Sequence, residues 1–73
     1  MSVKAIETAI RIANRGTAAQ IEAIEAKHGR ALSTIIDDAW DWAEQNGNAR
    51  LAAKCERAFN RLTNHHHHTE QTR

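Results

Sequence analysis

The chain has 73 residues, enough for one small domain, and fourteen of its apolar residues are alanine, leaving sixteen larger apolar side chains. That supply is too thin to wall a large catalytic cleft; no apolar run approaches the ~20 residues of a membrane-spanning helix; and the single cysteine, Cys55, cannot close an internal disulfide. The net charge of +1 does not by itself specify a nucleic-acid partner. Proline is absent, glycine occurs three times, and the abundance of Ala, Glu, Arg and Ile favours helix throughout, so the expected class is all-α. Lys4 and Glu7 fall where a signal peptide needs its apolar run, and the lone cysteine suits a reducing compartment; both point to a cytoplasmic protein.

At about 100° per residue, residues 3–15 form an amphipathic helix. Val3, Ile6, Ala9, Ile10, Ile12 and Ala13 take one half of the circumference, and Lys4, Glu7, Thr8, Arg11 and Arg15 the other. Ser2 can cap its start and Gly16 can stop it. Thr17 with Gln20 has the spacing of a capping box opening a second helix. From there an apolar stripe runs through Ile21, Ile24, His28, Leu32, Ile35, Ala39 and Trp42 without losing phase at Gly29. The constant phase fits either one long central helix from Ala18 to about Asn46 or two helices meeting near Gly29; the long helix, bent at Gly29, is the favoured expectation, since a mid-helix glycine costs only about 1 kcal/mol. Asn46-Gly47-Asn48 reads as a stop followed by a cap. The last helix, Ala49 to about Thr63, carries Leu51, Cys55, Ala58, Phe59 and Leu62 on one stripe.

The sequence therefore predicts a small helical hairpin or three-helix bundle over residues 1–63, followed by a polar, histidine-rich tail over 64–73. A long central helix would outrun its neighbours and leave apolar surface for a second copy, so a homodimer is expected. Ile21, Ile24, His28, Leu32, Ile35, Trp42, Leu51, Cys55, Phe59 and Leu62 are the candidates for the core or the dimer contact.

Charge is segregated. Residues 31–47 hold four acids (Asp37, Asp38, Asp41, Glu44) and no base, while residues 48–64 hold Arg50, Lys54, Arg57 and Arg61 against Glu56. Trp40, at the edge of the central stripe beside Asp37, Asp41 and Glu44, has the composition of an interaction hot spot, or else flanks the core. The acids have no companion histidine or oxyanion donor, so a solvated or partner-binding face is the expectation rather than catalysis. Arg50, Lys54, Arg57 and Arg61 repeat at i, i+4, i+7, i+11, as either a solvated ridge or a row for an acidic partner. Cys55 between Leu51 and Phe59 reads as a small core residue. His65 to His68 would bind transition metals loosely but have no preorganised ligand spacing, so no specific metal or cofactor is expected.

Residues 17–42 follow the outline of a DNA-binding helix-turn-helix with Gly29 in the turn. However, Glu25 stands where a small residue is usual, and the supposed recognition helix carries Asp37, Asp38 and Asp41 with no base. A ribbon-helix-helix lacks the alternating strand it would need before Leu32. The expected function is accordingly a non-enzymatic protein-binding module, a regulator or inhibitor of the size common among phage-encoded modulators, that occludes a partner protein. The disfavoured alternative is a nucleic-acid-associated regulator using the basic ridge with Lys4, Arg11 and Arg15.

Overall fold

A computed structural model describes residues 2–71, with side chains as far as Thr63. The described residues form four helices and no strand: α1 (Val3–Arg15), α2 (Ala18–His28), α3 (Leu32–Gln45) and α4 (Ala49–Gln71). The all-α class is borne out, and each predicted cap is in place. The Ser2 hydroxyl accepts from the Ala5 N–H at 3.1 Å. Thr17 and Gln20 exchange both bonds of the capping box, at 3.0 and 3.2 Å. The Asn48 side chain accepts from the Leu51 N–H at 3.1 Å. These caps form because each uses groups three residues apart, which the sequence alone brings together.

The continuous central helix is not what the chain adopts. α2 ends at His28, Gly29 takes a left-handed conformation (φ 66°), and α3 begins at Leu32. The Glu25 carbonyl accepts from both the Gly29 and Arg30 N–H groups, at 2.7 and 3.2 Å, which closes the end of α2. Ala31, the residue before α3, has no side-chain acceptor to cap it. The Glu25 carboxylate reaches across the turn and accepts from the Leu32 N–H at 2.7 Å instead. One glutamate thus satisfies backbone donors at the end of one helix and the start of the next. The second turn is a Schellman closure: Gly47 (φ 68°) donates to the Glu44 carbonyl and Asn48 to the Ala43 carbonyl. α4 continues to Gln71 rather than stopping near Thr63, because no glycine or proline follows to end it.

α3 and α4 make the most extensive contact, α1 lies across both, and among the described residues α2 touches only α1 and α3. The core is Ile6, Ala9 and Ile10 of α1, Ile24 of α2, Leu32, Ile35, Ile36, Ala39 and Ala43 of α3, and Leu51, Ala52, Cys55 and Ala58 of α4. Alanine at 39, 43, 52 and 58 lets α3 and α4 approach closely. His28 is exposed rather than buried, because the break at Gly29 removes it from the axis of α3. Trp42 is half-buried at the core's margin instead of inside it. The buried arc of α3 centres on Leu32, Ala39 and Ala43, which puts Trp40 and Trp42 about 80° to either side. Both tryptophans therefore flank the core. Ile36, outside the candidate core set, is completely buried on the Trp40 side of this arc. Among the described residues no helix is long and apolar enough to cross a membrane.

Candidate functional site

α1 packs beside α4, and their polar faces meet in an open groove of about 540 Å³. Its lining is Glu7, Ile10, Arg11, Asn14 and Arg15 from α1, with Lys54, Arg57 and Arg61 from α4. Five cations thus face one carboxylate. Arg11 and Arg15 are four residues apart on one wall, as are Arg57 and Arg61 on the other, so each pair projects together from its helix. Lys54 approaches Glu7 at 3.7 Å and is the one groove cation in an ion pair among the described residues. Among the described residues, buried Ile10 is the single aliphatic residue in the lining, and no aromatic side chain is present.

The structure divides the predicted basic ridge. Lys54, Arg57 and Arg61 line the groove, whereas Arg50 is exposed outside it. Of the α1 bases, Arg11 and Arg15 join the groove and Lys4 does not. Glu7 and Asn14 were not among the sequence candidates. Their participation follows from which face of α1 meets α4, and a single-helix wheel does not contain that information.

A second recess, about 460 Å³, lies between α3 and α4. Ala49, Ala52 and Ala53 form its apolar lining, and Trp40, Glu44 and Glu56 its larger walls. Trp40 is already engaged: its ring meets Phe59 at 5.9 Å between centroids, tilted 57°, and its Nε1–H donates to the Glu44 carboxylate at 3.2 Å. Asp41 accepts from the Gln45 side-chain amide at 3.0 Å, and Asp37 is exposed. Asp38 pairs with Arg30. The four α3 acids thus do not converge on one point, and two of them are held by neighbours on their own helix.

α2 and α3 are joined by the short Gly29–Ala31 turn, where the helix-turn-helix outline has its turn glycine. The solvent side of α3 nevertheless presents Asp37 and Asp41, which repel phosphate. Cys55 is fully buried, and burial pushes its thiol above the ordinary value of 9.0, so it is held as an unreactive thiol. His65 to His68 lie outside the residues whose side chains are described. The chain matches no protein-family model, no curated protein and no solved structure.

Proposed function

We propose that the protein is a cytoplasmic, non-enzymatic binding module, a regulator that acts by occupying a partner, and that its working surface is the groove between α1 and α4. The observation that carries this proposal is the convergence of Arg11, Arg15, Arg57 and Arg61 from two helices onto one recess. Arginine offers a planar fork of donors matched to carboxylate and phosphate oxygens, so an anionic partner is the natural occupant. The unreactive, buried Cys55 and the dispersed α3 acids support binding over catalysis.

Retention on an immobilised polyanion tests the surface. The native protein is retained, the double substitution Arg57→Glu and Arg61→Glu elutes early, and Arg50→Glu behaves as native. Equal retention of all three would remove the groove from the proposal.

The recess beside Trp40 favours a second reading, in which a partner protein lays a cationic side chain between Glu44 and Glu56. Trp40→Ala abolishes capture of that partner. Homodimerisation would use the recess between α1 and α2, whose apolar lining includes Ile12 and Ile24. Light scattering at micromolar concentration tests it, and a monomeric mass rejects it.

A further inference from the structure

Resting on the groove reading, we infer that the anion the α1/α4 groove holds is the phosphate backbone of a nucleic-acid duplex, gripped without regard to sequence. Three observations separate this ligand from an acidic protein segment and from a single strand. First, a helix docking in a groove needs apolar anchor sites, and among the described lining residues Ile10, already buried, is the only aliphatic one. Second, single-strand binders stack bases on aromatic side chains, and Trp40 and Phe59 are instead paired with each other on the α3/α4 side. Beyond the aliphatic stems of its cations, the groove offers charge and hydrogen bonding. Third, Lys54 to Arg61 spans seven residues, about 10 Å of helix at 1.5 Å per residue. Neighbouring phosphates lie farther apart along the strand than the rise of about 3.4 Å along the duplex axis, so that length suits two of them, one each for Arg57 and Arg61. α1 lies along the other side of this row, so Arg11 and Arg15 can flank the same backbone.

The acids of α3 give the approach a direction. Asp37 and Asp41 are exposed on the helix that does not line the groove, so a polyanion is repelled from α3 and drawn to α1 and α4. Backbone contacts alone fix position and carry no sequence information, which predicts equal affinity for unrelated duplexes.

Fluorescence anisotropy with a short labelled random-sequence duplex tests the assignment, with the matching single strand and poly-glutamate as parallel ligands. Four arginine–phosphate contacts predict a slope of log affinity on log salt of about −3.6, and roughly 150-fold weaker binding between about 50 and 200 mM salt. Arg57→Gln with Arg61→Gln removes two contacts and lowers the slope to about −1.8, while Arg50→Gln leaves it unchanged. Circular dichroism confirms that each variant stays helical.

Tighter binding to the single strand than to the duplex overturns the duplex assignment. So does duplex binding that the double substitution leaves intact. Poly-glutamate binding that the double substitution abolishes, without duplex binding, overturns the phosphate assignment and leaves the groove reading standing. Failure of every polyanion overturns both.

Discussion

α2 and the α3–α4 pair divide the work of folding unequally. Among the described residues, nine of the thirteen that are buried lie on α3 and α4, and only Ile24 lies on α2. α3 and α4 bury facing arcs rich in alanine (Ala39 and Ala43 against Ala52 and Ala58), so the helices approach closely. α2 is alanine-rich on several faces and has no strong apolar side. It bridges α1 and α3 through two caps and one isoleucine. In a chain this short, the interior that sets stability and the strap that closes the topology are separate parts. The arginine groove belongs to the stable part, since its α4 wall is the reverse side of the helix that carries Leu51, Cys55 and Ala58.

Core truncation gives the largest expected separation of the two regions. Ile36→Ala opens a void at a completely buried position and should cost about 3 kcal/mol, lowering the melting temperature by roughly 12–24 °C. Ile24→Ala lies on the strap, where neighbours can settle into the space, and should cost about 2 kcal/mol, the low end for such changes. Equal losses in thermal unfolding would show that α2 is as much core as α3.

The two turns give a finer comparison. Gly29 and Gly47 both sit at positive φ with open space where a Cβ would project, so alanine meets strain without a clash. Gly47→Ala should cost about 1–2 kcal/mol in denaturant unfolding. Gly29→Ala should cost less, because the apolar phase of α2 and α3 agrees across the turn and alanine favours helix there by about 1 kcal/mol. A rise in helicity with a doubled mass by light scattering would show that this substitution straightens the joint into the long helix the sequence pattern predicts. Glu25→Ala deletes the acceptor for the Leu32 N–H and should cost about 1 kcal/mol, typical of a lost cap. No loss would mean that the cap does not hold the α2–α3 turn.

These turns also show which features could be read from the chain. Ser2, Thr17, Gln20, Asn48 and Gly47 were legible because their partners lie within a few residues. The break at Gly29 was legible only as one of two alternatives, because a helical wheel measures phase alone. Three residues leaving helical geometry do not alter sequence spacing, so the stripe from Ile24 to Leu32 looks continuous whether or not the backbone is. The contrary signal was local: Lys27 and His28 followed by Gly29 is a helix-ending pattern. The groove was half legible. Helical spacing puts Lys54, Arg57 and Arg61 on one face of one helix, but their convergence with Arg11 and Arg15 depends on the packing of α1 against α4. Arg50 shares the stripe and misses the groove, since helical phase does not reveal where a neighbouring helix ends.

Cys55 supplies the smallest and most local probe of the α3–α4 interior. Its thiol is raised by burial, so the folded protein holds the proton more tightly than the unfolded chain does. The stability that goes with a raised value is fully present below the unfolded thiol's titration and is lost as pH climbs through 9.0 and beyond. Stability against denaturant should therefore fall above about pH 9 in the native protein, and Cys55→Ala should remove that part of the slope. The substitution itself deletes one buried sulfur and should cost about 1 kcal/mol at neutral pH. A thiol reagent gives the companion measurement. If Cys55 reacts only when α3 and α4 separate, Ile36→Ala accelerates the reaction by the same factor by which it destabilises the fold, and Ile24→Ala by less. Equal acceleration by both would mean that the strap and the interior open as one unit, and the division between α2 and the α3–α4 pair would fall.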